Sequence, residues 1–116
     1  MTKTYINIAG DVRDAASLEM PVSRVFRDAW AFEGEAVVVD MPVAKEIHKV
    51  VLRAERKPLL EALDVEFMKA LETGGDAAAV TAKKEVLRNV TSDLRIVAAE
   101  TPEALEALAL EVLTGV

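Results

Sequence analysis

The side chains that could carry chemistry are few, and His48 is the first to test because it is the only histidine. A metal site on a helix would need a further ligand about one turn away. Ala44, Val51 and Leu52 occupy such positions, and Glu55 lies two turns along. We therefore expect His48 to be a solvated or edge residue of a helix rather than a metal ligand or a catalytic base.

Acidic and hydroxyl side chains give no stronger indication of a site. Three acid pairs could hold a divalent cation, but none follows a calcium-loop spacing. These pairs are Asp11 with Asp14, Asp64 with Glu66, and Glu103 with Glu106. The serines lie outside any nucleophile-elbow motif, and the absence of cysteine removes thiol chemistry. The sequence thus predicts no catalytic, metal-binding or cofactor-binding residue; a small acid- and histidine-dependent enzyme is the alternative from another class.

Length and composition describe one domain of modest size. The chain has 116 residues, of which 52 % are apolar but only 4 % aromatic. Its core must therefore consist mainly of small side chains that each remove little area from water, and a partner chain could add stability. The net charge of −6 argues against nucleic-acid binding, which needs a basic surface. No apolar run resembles a membrane span or a signal peptide, so we expect a protein of the cytoplasm.

The elements that would position these residues begin with short strands. Residues 4–9 alternate in the manner of a strand, and residues 11–23 are expected to form a connector or arm. Residues 24–30 and 36–39 indicate two further strands, joined by a turn near Gly34.

Helical periodicity takes over at residue 42. Residues 42–72 are expected to form one long helix, kinked at Pro58. Gly74 and Gly75 end it, and residues 77–89 form the second arm of a helical hairpin. The side chains expected in the core of this hairpin are Leu59, Leu63, Phe67, Leu71, Val86 and Leu87. No coiled-coil heptad repeat is evident.

The C-terminal quarter predicts a short helical piece at 94–99 and a last helix at 103–113, which Thr101 and Pro102 would begin. The whole is a helix-dominant α+β fold: a short β-hairpin-like sheet, a kinked helical hairpin and a C-terminal helix. It forms a single domain, 1–116, divided as 1–23 (strand and arm), 24–40 (β-hairpin), 41–91 (helical hairpin) and 92–116 (C-terminal helix).

Two groups of residues are candidates for binding a protein partner. The first is aromatic, and the second is a basic ridge that recurs every four residues along the long helix. The candidates are Phe26, Trp30, Phe32, Lys45, Lys49 and Arg53. The alternatives are an ordinary core for the aromatic residues and a solvated face, with local pairs such as Lys57–Glu61, for the ridge.

The stretch from residue 56 to residue 91 resembles small proteins of tailed-bacteriophage tail gene clusters, including tail-fibre assembly proteins and tail assembly chaperones. Arg56, Leu59-Leu60 and Asp64, a glycine break, and then LRNVT at 87–91 carry this resemblance. Asn89 replaces the aspartate usual in those proteins. The polar positions would fix helix ends and pairings.

The resemblance implies a non-enzymatic phage structural or assembly accessory protein that acts through protein–protein contacts. Its partners would be other phage structural proteins, itself as a homo-oligomer, or both, and neither nucleic acid nor membrane. A tail- or fibre-associated virion component is the first expectation; a transient assembly chaperone and a capsid decoration protein are the alternatives. The protein would be found in the host cytoplasm during assembly and then in the virion.

Overall fold

A computed structural model describes residues 4–115 and shows a helix-dominant α+β fold. Two small antiparallel hairpins come first, followed by one long helix and four shorter ones. The predicted fold class is confirmed. The outer limits of the predicted domain, residues 1–3 and residue 116, lie outside the described residues.

The first hairpin pairs β1 (Tyr5–Ile8) with β2 (Asp11–Asp14), with Ile8 opposite Asp11. Strand β1 was predicted. The connector expected over residues 11–23 is wrong for its first four residues, which form β2. Ala9 and Gly10 both have positive φ, of 52° and 89°. That combination forms the tightest kind of hairpin turn, and an Ala-Gly pair is a weak signal for it.

The second hairpin pairs β3 (Trp30–Glu33) with β4 (Ala36–Val39) around the predicted turn at Gly34. The strand expected over residues 24–30 is wrong, because residues 27–29 form a single 3₁₀ turn. Phe26, just before that turn, packs into the core with 3 % of its surface exposed.

Arg13 joins the two hairpins. Its Nη1 donates to the Gly34 carbonyl oxygen at 2.9 Å, and its guanidinium lies 4.1 Å from the centroid of the Phe32 ring. Glu19 adds a short parallel bridge to β4, because the Val37 amide donates to its carbonyl oxygen at 2.7 Å. The hairpins therefore hold each other as well as their own strands.

Helix α1 (Met41–Thr73) begins where Asp40 accepts a hydrogen bond from the Val43 amide, and it continues through Pro58. Gly74 ends it in the left-handed conformation, with φ of 72°. Helix α2 (Ala77–Arg88) then begins at Asp76, which caps the Ala79 amide. The predicted helical hairpin is confirmed.

Three short helices complete the chain: α3 (Leu94–Ala98), α4 (Pro102–Glu106) and α5 (Leu110–Thr114). The single last helix expected at 103–113 is wrong, because Ala109 is extended between α4 and α5. In one continuous helix Leu105 and Leu110 would lie about 140° apart. The break allows both of them to enter the core, where each is at most 5 % exposed.

The core lies between the first two-thirds of α1 and the C-terminal helices. Its buried side chains are Phe26, Ala29, Ala44, Leu52, Leu63, Leu87, Val90, Ile96, Ala99, Leu105, Leu110 and Leu113. None of residues 64–76 is buried, so the tip of the helical hairpin extends beyond the core. The described chain is accordingly elongated, with extents of 66 × 29 × 21 Å.

Candidate protein-interaction surface

The predicted basic ridge spirals around α1 instead of forming a flat patch. Residues four apart on a helix advance by about 400°, so each step turns the side chain by about 40°. Lys45 points partly inward and donates to the Val97 carbonyl oxygen at 2.7 Å. Lys49 pairs with Glu46 at 3.4 Å, while Arg53 is exposed. Two of the three candidates are therefore engaged within the chain.

The predicted aromatic candidates do not form one surface. Phe26 is core and offers no area to a partner, which corrects its assignment. Phe32 is half-buried under Arg13. Trp30 is also half-buried, and its indole Nε1 is buried without a hydrogen-bond partner. Of the three aromatic candidates, only parts of Trp30 and Phe32 are accessible to a partner.

His48 is buried, which corrects the expectation of a solvated residue. It is 7 % exposed, its ring meets Phe26 edge-on at 6.1 Å between centroids, and its Nε2 lies 2.7 Å from the Leu108 carbonyl oxygen. A carbonyl can only accept, so Nε2 carries the proton. His48 thus fastens α1 to the segment between α4 and α5.

A hollow of about 180 Å³ lies beside His48 and includes Glu55 and Glu106. Its other lining residues are apolar: Val25, Phe26, Ile47, Val51, Leu52 and Ala109. The hollow therefore brings no hydroxyl, thiol or amine nucleophile to the histidine. Across residues 4–115, no three His, Asp or Glu side chains gather closely enough to hold a metal ion.

The polar residues of the helical hairpin hold its two helices together. Arg56 Nη1 donates to the carbonyl oxygens of Arg88, at 2.8 Å, and Leu87, at 3.4 Å, at the end of α2. Lys84 Nζ pairs with Asp64 at 2.5 Å and lies 5.3 Å from the centroid of the Phe67 ring. Fixing helix ends and pairings is the role expected of these positions, although Arg88 acts through its backbone.

Half of the residues expected in the core of the helical hairpin are on the surface. Leu63 and Leu87 are buried and Phe67 is partly buried, but Leu71 is 58 % exposed. Leu59 and Val86 are also exposed. At the tip, two helices alone cannot bury residues on more than one face of each, which leaves Leu71 exposed.

The exposed side of α1 carries a continuous row of residues, which we call the outer face. It consists of Val43, Val50, Ala54, Lys57, Glu61, Met68 and Leu71. Val50 and Met68 are 58 % and 56 % exposed, and the row lies away from the buried side that includes Ala44 and Leu52. Sequence reasoning missed this face: of its apolar residues it placed only Leu71, and it placed that one in the core of the helical hairpin.

No family model, curated protein or solved structure matches this chain. The resemblance to phage tail-cluster proteins therefore stays a prediction. Within residues 4–115, no helix combines the length and the apolar character needed to cross a membrane.

Proposed function

We propose that this chain is a non-enzymatic structural or assembly accessory protein of a tailed bacteriophage, and foremost a component of the tail or fibre in the virion. The observation that carries the proposal is the exposed apolar outer face of α1. Fully burying a Val, Leu or Met side chain is worth about 1.5–3 kcal/mol. Val50, Met68 and Leu71 each leave more than half of their surface in water, so a partner covering them would gain several kcal/mol.

The elongated shape supports a role in contacts between proteins. Helix α1 is about 50 Å long at 1.5 Å per residue, and its tip extends beyond the core. Such a projecting helical hairpin presents a surface on more than one side. The hollow beside His48, whose lining has no hydroxyl, thiol or amine side chain, supports the non-enzymatic part of the proposal.

The phage assignment rests on the resemblance of residues 56–91. Arg56 and Asp64 hold the two helices together through contacts with α2. They thus fulfil a structural role in this chain that the resemblance implied for them. Their contacts support the resemblance without identifying the partner.

Quantitative mass spectrometry of purified particles from the phage that encodes the chain tests this proposal. We expect the chain in the particles at a fixed number of copies relative to tail proteins. A chain that is absent from particles but bound to a tail or fibre subunit in infected cells would be a chaperone, and a copy number that follows the capsid would make it a decoration protein. Absence from both particles and assembly complexes would overturn the proposal.

A matched pair of variants links the outer face to incorporation. Val50→Asp places a charge on the outer face, whereas Val97→Asp places one on α3, at a valine that is 64 % exposed. We expect Val50→Asp to lower the number of copies per particle and Val97→Asp to leave it unchanged. Equal incorporation of both variants would contradict a role for the outer face.

A further inference from the structure

The outer face follows the spacing of a coiled-coil seam. Val43, Val50 and Lys57 are seven residues apart, and Leu71 follows two heptads after Lys57. Ala54, Glu61 and Met68 form a second series with the same period, four residues after Val50, Lys57 and Asp64. These are the two positions that face a neighbouring helix in a coiled coil. Charged residues interrupt the series at its centre, which hides the repeat in the sequence.

The two series of residues face each other when a second copy of α1 is placed antiparallel to the first. An antiparallel copy that places Lys57 opposite Glu61 also places Val50 opposite Met68. The same register sets Ile47, which is partly buried against the core, opposite Leu71. Ala54 then meets Asp64, whose carboxylate already pairs with Lys84 at the edge of the face.

We infer that the outer face of α1 binds the same face of a second copy of this chain, antiparallel, about a two-fold axis near residue 59. In a two-fold interface, if residue i contacts residue j of the partner, residue j contacts residue i of the partner. Lys57 and Glu61 satisfy this condition with opposite charges, and the symmetry makes the contact twice. Beyond the neighbouring layers of Ala54 and Asp64, the layers of Val50 and Met68 on both sides are apolar.

Charge argues for a second copy as the occupant. Lys57 and Glu61 are four residues apart on one helix, yet they do not form an ion pair within the chain, whose salt bridges among residues 4–115 lie elsewhere. A purely apolar partner would desolvate both charges without compensation. The reversed helix supplies an opposite charge to each of them.

Charge reversal tests the inference, with the dissociation constant measured on the full chain by analytical ultracentrifugation. We expect a dimer that is weakened roughly tenfold or more by Lys57→Glu and likewise by Glu61→Lys, because each variant places like charges opposite each other twice. The double variant should regain the affinity of the original chain to within about threefold. Lys83→Glu, an exposed lysine on α2, is the matched control and should leave the dissociation constant unchanged.

Circular dichroism shows whether each variant retains its helices. A chain that stays monomeric at millimolar concentration would overturn the inference. A dimer whose affinity the single reversals do not change, or a double variant as weak as the singles, would overturn it as well.

Disulfide cross-linking tests the direction, since the chain has no cysteine of its own. A mixture of Val50→Cys and Met68→Cys chains should yield cross-linked heterodimers on oxidation, because the antiparallel register brings these positions together. Each variant alone should give at least about tenfold less cross-linked product. Efficient homodimers from one variant alone would indicate parallel helices and would overturn the inference.

The inference goes beyond the proposed function, because it concerns how the chain assembles with itself. A dimer that is absent from both phage particles and assembly complexes would leave this inference standing and overturn the phage proposal. A monomer found in particles would do the reverse.

Discussion

At the scale of single residues, His48 shows how one polar side chain can fasten distant parts of a small core. Its Nε2 donates to the Leu108 carbonyl oxygen from 60 residues away in sequence, and its ring packs on Phe26. The segment between α4 and α5 breaks helical pairing around Leu108. His48 therefore satisfies an acceptor that a continuous helix would have satisfied by itself.

Replacing His48 with Ala should lower the free energy of unfolding by roughly 2 kcal/mol or more. The loss combines an unpaired carbonyl oxygen with a cavity beside Phe26. Urea denaturation followed by circular dichroism and by the fluorescence of Trp30, the only tryptophan, measures it. His48→Gln keeps a donor of similar reach and should recover part of the loss. An Ala variant as stable as the original chain would show that the residue is dispensable.

Asp93 and Arg95 form a second contact that links distant parts of the chain, and its contribution to stability should depend on pH. Arg95 donates to both oxygens of its carboxylate and also to the Leu113 carbonyl oxygen. The hydrogen bonds from the Arg95 side chain and backbone hold the pKa of the Asp93 carboxyl below its ordinary value. A carboxyl with a lowered pKa in the folded state stabilises the protein above its ordinary pKa of about 3.9.

Asp93→Asn isolates that charge, because Asn caps a helix about as well as Asp does. We expect the variant to be less stable than the original chain at pH 7, and the difference to shrink as the pH falls below about 4 through the lowered pKa. Urea denaturation at pH 7 and pH 3 measures both differences. A difference that stays constant or grows toward pH 3 would contradict the role of the ionised carboxylate.

At the scale of elements, the turn between α1 and α2 offers a matched pair of glycines. Gly74 has φ of 72°, whereas Gly75 lies outside the left-handed region and has room for a methyl group, with its nearest neighbours at 3.6 Å. Gly74→Ala should cost about 1–2 kcal/mol, since a β-carbon is strained in the left-handed conformation. Gly75→Ala should be nearly neutral.

Thermal unfolding followed by circular dichroism separates the two glycine variants. Hydrogen exchange in α2 should also rise only in Gly74→Ala, because local opening of the tip follows its local stability. Equal midpoints for the two variants would show that the left-handed cap does not contribute to the hairpin.

Local chemistry explains which elements could be predicted. Caps and breakers at Asp40, Gly74, Asp76 and Thr101 act within a turn of the chain, so the helix ends that they form were found from sequence. Sequence did not show whether apolar residues outside the main buried face of a helix are buried, because their burial depends on what packs against the helix. Val112 illustrates this: its spacing suits a buried stripe, yet it is 56 % exposed because α5 begins anew after Ala109.

The candidate surface was predictable only in part for the same reason. The recurrence of Lys45, Lys49 and Arg53 is visible in sequence, but their partners come from residues up to 52 positions away. The surplus of apolar residues on α1 was visible too. Which of them pack against the C-terminal helices is a tertiary property, and so is the length of the tip beyond Leu63.

At the scale of the whole molecule, the described chain is elongated and not compact. A compact domain of this length would have a radius of gyration of about 13 Å, whereas the described chain has 19.7 Å. The tip of the helical hairpin contributes part of the extra length. Its cost in exposed apolar surface is offset if a second copy covers the outer face.

Small-angle scattering should therefore report two distinct particles. Val50→Asp with Met68→Asp, which charges the apolar layers, should give a monomer with a radius of gyration of about 20 Å, close to the 19.7 Å of the structure. The original chain at high concentration should reach a length of about 85 Å. That length follows because a two-fold axis near residue 59 lies about 24 Å from the tip at 1.5 Å per residue, which leaves about 42 Å of the 66 Å extent on each side of the axis. A monomer near 13 Å would mean that the tip folds back onto the core, and a dimer of about 130 Å would mean that the copies join end to end.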